Sequence, residues 1–209
     1  GTAWAYQLSR GENIPSIAYF GDGATSEGYF HEALNWAAIL RIPVIFFCEN
    51  NQWAISTPAP LNTPPGMTLA ERALGYGLHF EYIDGNDPFA VARATQKALA
   101  RGYERGESTL IEADTYRLGP HTTAAAEIID IPREAKERAI KEDPLPRLQR
   151  FLLSEEANEL LGMDWSRERA ENRDLFEKLL GDPAEAALLL RDTNVELHPE
   201  DIGMFAALD

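Results

Sequence analysis

Four short runs rich in β-branched and aromatic residues (Ile14 to Phe20, Val44 to Cys48, Phe80 to Ile83 and Thr109 to Ala113) alternate with stretches of helical periodicity. Runs of this length suit buried strands, and the segments between them are long enough for crossover helices. One helical stretch is Ser26 to Leu40, with Phe30, Ala33, Leu34, Ala37 and Ala38 on one face. The other is Phe89 to Arg105, opened by Asp87-Pro88 as cap and first helical position. A β-α-β-α series implies an α/β fold, a parallel sheet flanked by helices on both faces. Pro43 agrees, because proline suits the first position of a strand and not its middle. Asn50 to Pro65, rich in Asn, Thr and Pro, reads as a loop, and Thr68 with Glu71 forms a capping box that opens a short helix to Tyr76.

The polar residues that close two of these runs carry the functional signal. Gly21-Asp22-Gly23 follows the first run and Asn50-Asn51 the second, so both fall at the carboxyl edge of the sheet, where open parallel sheets bind ligands. A carboxylate and an amide oxygen on neighbouring loops are hard donors, suited to Mg²⁺ held against phosphate groups. The backbone amides of Gly23 and Ala24, expected at the opening of the following helix, would face those phosphates, because a helix N-terminus favours anions. Taken alone, Asp22 also suits a turn or a cap, and Asn50-Asn51 an ordinary strand-ending turn. The segment GDGATSEG has neither the GK[ST] of a P-loop nor the third glycine of a dinucleotide fingerprint. His121 follows the last strand and falls at the same edge, or else is a surface loop histidine; His31, His79 and His198 lack such a context and read as structural or exposed.

These motifs carry a resemblance. GDGATSEG followed by CENN resembles the thiamine diphosphate motif, and GDGATSEGYFHEALNWAAILRIPVIFFCENNQWAISTP is similar to the α subunit of the E1 component of 2-oxo acid dehydrogenases. LIEADTYRLGPHTT and DPLPRLQRFL resemble later segments of the same family, so the similarity runs from Gly1 to Leu152. The resemblance implies the thiamin diphosphate-binding fold, with Gly21, Asp22, Gly23, Ala24, Asn51 and His121 around the coenzyme. It implies Mg²⁺ held by Asp22, Asn51 and the carbonyl of Trp53, and a role for His121 in passing the acyl group to lipoyl. The implied reaction is oxidative decarboxylation of pyruvate or branched-chain 2-oxo acids. The implied partners are an E1 β subunit, in an α2β2 heterotetramer, and a lipoyl-bearing E2. In this family the β subunit supplies the carboxylate that activates the coenzyme, so the chain alone should turn over nothing and should present an apolar face to β. A non-catalytic assembly or coenzyme-binding subunit, an acetoin dehydrogenase α subunit and a transketolase-like half are the competing readings. One departure stands out: after Thr123 the family carries two adjacent acids and a Tyr-Arg pair, where this chain runs Ala124-Ala125-Ala126-Glu127-Ile128-Ile129-Asp130.

Composition bounds the rest. With 209 residues, 44% of them hydrophobic, the chain has material for a sizeable core. The expected organisation is a coenzyme- and Mg-binding α/β domain over 1–124 and a loop with helices over 125–209, with helices at Arg133 to Glu142, Pro146 to Leu161, Arg167 to Leu180 and Pro183 to Leu190. The opening GTAWAYQLSRG, with Trp4 and Leu8 at helical spacing, reads as the inside of an element, and relative to the family an N-terminal portion is expected to precede it. A net charge of −15 argues against binding nucleic acid through its phosphates. It also means that a polyanionic coenzyme needs a cation or a local cluster of donors. The single cysteine, Cys48, lies in an apolar run and reads as core packing, which favours a reducing compartment: the cytoplasm, or the mitochondrial matrix in a eukaryote. No apolar run is long enough to span a bilayer.

Overall fold

The structure, a computed structural model, describes residues 1–55, 57–117, 121–122, 137 and 139–152. In chain order the elements are α1 (Thr2–Arg10), β1 (Ser16–Gly21), α2 (Gly28–Ile39), β2 (Val44–Asn50), β3 (Trp53–Ala54), β4 (Thr57–Pro58), β5 (His79–Asp84), α3 (Pro88–Arg105), β6 (Thr109–Asp114) and α4 (Pro144–Leu152). Three 3-10 segments, Asp22–Ser26, Ala59–Leu61 and Ala70–Tyr76, fill the connections. The chain divides into two compact units, Gly1–Lys141 and Glu142–Asp209.

In the first unit, four strands form one sheet, parallel as expected from the sequence, in the order β1-β2-β6-β5. The middle strands β2 and β6 place alternate side chains on opposite faces. Phe46 and Leu110 join Phe30, Leu34 and Ala37 of α2 and Ala73 of the 3-10 segment in one core cluster. Ile45, Phe47, Ile111 and Ala113 join Ala94 and Ala98 of α3 in the other. Both faces of the central strands are therefore buried, which is why they read as continuous apolar runs rather than alternating ones.

The edges behave differently. The first strand was expected to be buried, but β1 is an edge strand, with Ile17 38% and Tyr19 65% exposed. Register explains the difference: Ile17 and Tyr19 pair with Ile45 and Phe47, so they share the α3 face, and α3 packs over β2 and β6. Tyr19 packs on Phe47 with the rings tilted by 48° and their centroids 5.2 Å apart, and leaves its outer side open.

Other boundaries shift for local reasons. α2 begins at Gly28 rather than Ser26, because Asp22–Ser26 closes as a separate 3-10 turn. Phe30, Leu34 and Ala37 face the core as expected, whereas Ala33 is exposed. The capping box forms: the Thr68 amide and hydroxyl both reach Glu71 Oε2, at 2.6 and 3.0 Å, and the Glu71 amide reaches Thr68 Oγ1 at 3.3 Å. The segment it opens is 3-10 rather than α-helical. Asp87 caps α3 by accepting from the Phe89 amide at 2.9 Å, with Pro88 at the first turn. The loop after Asn50 contains a short antiparallel pair, Trp53 opposite Pro58. In α1, Ala3 is buried while Trp4 and Leu8 are exposed.

In the second unit α4 starts at Pro144, after Asp143 accepts from the Leu145 amide at 2.9 Å, two residues earlier than the sequence pattern indicates. The remaining expected helices lie largely or wholly outside the described residues, as do the 124/125 domain boundary and the Ala124-Ala125-Ala126 segment. Among the described residues, no helix is long and apolar enough to cross a membrane.

α3 lies close to the strand starts at one small residue. A Cβ built on Gly102 would meet Cγ of Pro15 at 2.6 Å and Cβ of Pro43 at 3.4 Å. Alanine would favour the helix by about 1 kcal/mol, but overpacking against two rigid rings costs about 1–3 kcal/mol. Gly102→Ala is therefore expected to lower the urea midpoint; a raised midpoint would show that the rings yield.

Candidate functional site

Parallel pairing brings the strand ends to one edge. Gly21 lies opposite Glu49, Asn50 opposite Asp114, and Asp84 opposite Asp114. Asp22 therefore starts its turn where the chain leaves β1, beside the turn that follows β2. Only 2% of Asp22 is exposed. Its carbonyl accepts from Thr25 Oγ1 at 2.7 Å, which closes the 3-10 turn, while its Oδ2 is buried without a hydrogen-bond partner among the described residues. Burial pushes the Asp22 carboxyl above its ordinary value; the backbone amides of Asp22, Asn51 and Gly23, and the Arg117 guanidinium, pull the other way. The Asn51 amide thus couples the second turn directly to the carboxylate. Gly23 and Ala24 belong to the short 3-10 turn rather than to the first turn of α2, which corrects the expectation that their amides open that helix.

The two adjacent asparagines have different surroundings. Asn50 is buried, donates through Nδ2 to Glu112 Oε1 at 2.7 Å and accepts through Oδ1 from the Gln52 amide at 3.0 Å. Asn51 is half-buried, and its Oδ1 accepts from the Trp53 amide at 3.1 Å. Gln52 has φ of 69° and Ile55 φ of 56°, left-handed conformations that are uncommon outside glycine and a marked departure for a β-branched residue. They flank β3, the strand of the small β3–β4 hairpin that carries Trp53. The hairpin sits tightly on the Asp22 turn: a Cβ on Gly23 would lie 2.7 Å from Cβ of Ala54. Gly23 is required by that approach rather than by backbone torsion.

Arg117 extends this edge. Its Nη2 donates to the Ile55 carbonyl at 3.3 Å, and its Nη1 lies 3.1 Å from His121 Nδ1. A guanidinium only donates, so Nδ1 is the acceptor and a neutral His121 ring carries its hydrogen on Nε2. His121 is exposed and reaches the Asp22 edge through Arg117. A cavity of about 470 Å³ opens on the α3 side of the same edge, with Tyr19, Phe47, Asn51, Thr115 and Arg117 in its wall. Arg117 gives a strongly acidic chain a cation at this point.

The donor chemistry fits a hard divalent cation. A buried carboxylate oxygen without a partner among the described residues and, on the neighbouring turn, an amide oxygen with a second lone pair are both hard oxygen donors. Among the described residues there is no group of three or more His, Cys, Asp or Glu placed to hold a metal. The set at this edge is of another kind, one carboxylate with neutral oxygens, which leaves room for an anionic ligand to complete the shell. Sequence reasoning assigned no role to Arg117, Glu112 or Arg72. Both Arg117 and Glu112 stand inside the LIEADTYRLGPHTT segment, and the one signal for Glu112 is the anomaly of an acid among the apolar residues of a strand.

A sequence profile of the family described as dehydrogenase E1 component matches residues 1–163. The 3-methyl-2-oxobutanoate dehydrogenase subunit alpha of Mycobacterium tuberculosis is 43% identical over 152 residues, covering 73% of this chain and 41% of that protein. The mitochondrial 2-oxoisovalerate dehydrogenase subunit alpha of Caenorhabditis elegans is 39% identical over 170 residues, covering 80% of this chain and 39% of that protein. The human protein of the same name is 41% identical over 159 residues, covering 74% and 35%. The chain thus spans 35% to 41% of the length of these relatives.

The raised Asp22 pKa makes a stability prediction. Unfolded, Asp22 ionises near 3.8; folded, it holds its proton more tightly, so the ionised group destabilises the fold at pH above the folded value. Stability falls as pH rises through that window, and the penalty disappears below it. Asp22→Asn, measured without divalent cations, is expected to be more stable at pH 7 by about 1 kcal/mol, an advantage that shrinks toward acid pH. A less stable Asp22→Asn at pH 7 would contradict the picture of an unsatisfied buried charge.

Proposed function

We infer the function from the premise that the chain belongs to the dehydrogenase E1 component family. We propose that it is the α subunit of a thiamine diphosphate-dependent E1 that decarboxylates a 2-oxo acid and passes the acyl group to lipoyl. The names of the relatives, 3-methyl-2-oxobutanoate and 2-oxoisovalerate dehydrogenase, favour branched-chain 2-oxo acids over pyruvate. The observation that carries the reading is the buried, unpartnered Oδ2 of Asp22 beside the Asn51 turn at the sheet's carboxyl edge. A carboxylate left in that state costs free energy unless a ligand completes it.

Asp22, Asn51 and the Trp53 carbonyl would hold Mg²⁺ against the diphosphate. The coenzyme, when bound, supplies the carbanion chemistry that cleaves the 2-oxo acid. The chain's own contribution is positional and electrostatic. The Asp22 turn and the Asn51–Trp53 turn fix the metal's oxygens, close packing of Ala54 on Gly23 holds the two turns together, and Arg117 offsets negative charge at the edge. His121, exposed at this edge and with its hydrogen on Nε2 when neutral, would assist a developing charge on an arriving acyl acceptor. An E1 β subunit and a lipoyl-bearing E2 are the proposed partners. Exposed Ile17 and Tyr19 on β1 are the kind of apolar surface that a partner would cover.

Titration calorimetry of thiamine diphosphate, with and without Mg²⁺, on the chain mixed with its β subunit tests this reading. Wild type is expected to bind only with Mg²⁺, and Asp22→Ala to lose at least a hundredfold in affinity, about 3 kcal/mol. Equal affinity in Asp22→Ala would overturn it. Binding without turnover of branched-chain 2-oxo acids in the full complex would instead identify a coenzyme-binding subunit that has lost catalysis.

A further inference from the structure

Glu112 lies in the middle of β6, opposite Cys48, and is 2% exposed. An acid in such a place needs a reason. Oε1 accepts from Asn50 Nδ2 at 2.7 Å, and Oε2 accepts from the Ala70 amide at 2.8 Å, at the start of the 3-10 segment Ala70–Tyr76. Because a carboxylate that accepts on both oxygens has nothing to donate, Asn50 must turn its NH₂ inward and its Oδ1 outward. That oxygen then accepts from the Gln52 amide, the residue whose left-handed φ reverses the chain between Asn51 and Trp53. The same 3-10 segment reaches the other turn. Arg72 donates to the Thr25 carbonyl at 2.7 Å and to the Asn62 carbonyl at 2.5 Å, and Thr25 Oγ1 closes the Asp22 turn at 2.7 Å.

We propose that Glu112 is a positioning residue for the metal-and-diphosphate site: through Asn50 it sets the turn that brings Asn51 beside Asp22, and through Ala70 it ties that turn to the segment whose Arg72 holds the Asp22 turn. The metal part of this proposal rests on the functional reading above; the hold of Glu112 on the turn does not. Glu112 touches neither metal nor coenzyme in this scheme. It acts by hydrogen-bond polarity, which makes the proposal separable from simple packing. With Glu112→Gln the side-chain shape is kept, and the fixed Ala70 N–H takes the new amide's oxygen. Its NH₂ then meets the NH₂ of Asn50, so Asn50 must turn over and present a donor to the Gln52 N–H. Asn50→Asp combined with Glu112→Gln reverses only the bond between the two side chains, at unchanged net charge, and keeps both backbone donors satisfied: the introduced amide accepts from Ala70 and donates to one oxygen of the introduced carboxylate, whose other oxygen accepts from the Gln52 amide.

Two measurements decide it. The first is hydrogen exchange at the Gln52 amide, followed by NMR on the full chain without ligands. The second is affinity for Mn²⁺, as a probe of the Mg²⁺ site, with thiamine diphosphate on the chain mixed with its β subunit. Glu112→Gln is expected to speed Gln52 exchange and weaken Mn²⁺ binding, each by about tenfold, the scale of one buried hydrogen bond. The double variant is expected to return both to within about threefold of wild type, the non-additivity of a coupled pair. Wild-type exchange and affinity in Glu112→Gln, or a double variant no better than the single, would overturn the proposal. Should the single variant fail to fold, a folded double variant is the rescue, and an equally unfolded one overturns it. Asp22→Ala separates the two levels. Loss of Mn²⁺ with Gln52 exchange unchanged supports the functional reading. Retained Mn²⁺ sinks that reading and leaves the exchange rates to judge Glu112's hold on the turn.

Discussion

Parallel pairing of β2 with β6 is the constraint on which the rest of the first unit depends. It buries both faces of the sheet's centre, one against α2 and the Ala70–Tyr76 segment and the other against α3. Because parallel strands run the same way, it also delivers Gly21, Asn50, Asp84 and Asp114 to one edge. Two turns leave that edge side by side, and everything proposed for the site follows from their being held at a fixed separation. A one-residue slip of β1 against β2 would exchange the faces of Phe20 and Tyr19 and displace Asp22 from the Asn51 amide.

Two acids buried equally deeply mark the difference between scaffold and site. Glu112 and Asp22 are each 2% exposed. Glu112 has both oxygens satisfied, by Asn50 and Ala70, and so rigidifies the fold around it. Asp22 keeps one oxygen unpartnered, with its carboxyl pushed up by burial and only partly compensated by backbone amides and Arg117. Groups left unsatisfied at a cost in stability are where a fold reserves capacity for a ligand. The strained φ of Gln52 and Ile55 beside it belongs to the same pattern.

Much of this architecture is legible in the sequence because its signals are local. Strand positions, the α3 cap at Asp87-Pro88, the Thr68–Glu71 box and the placing of Asp22 and Asn51 at strand ends all follow from patterns a few residues long. What escaped were properties set by the sheet as a whole. Strand order decides that β1 is an exposed edge, and no feature of Ile14 to Phe20 announces it. Likewise, the distinct roles of Asn50 and Asn51 depend on which faces Glu112, a residue far away in sequence. The separate 3-10 turn at Asp22–Ser26 was hidden because Thr25 closes it through a side-chain bond rather than a recognisable turn sequence. Residue roles drawn from family likeness, such as that of Trp53, stand as proposals.

The most direct test of the central claim, that a divalent cation binds between the Asp22 and Asn51 turns, is paramagnetic broadening of backbone amide signals. Mn²⁺ would be added with thiamine diphosphate to the isotope-labelled chain in complex with its β subunit. The account predicts that the amides of Gly23, Asn51 and Trp53 broaden first, while those at the far end of α3, around Tyr103, stay sharp. Broadening centred elsewhere, or none at these turns, would contradict it.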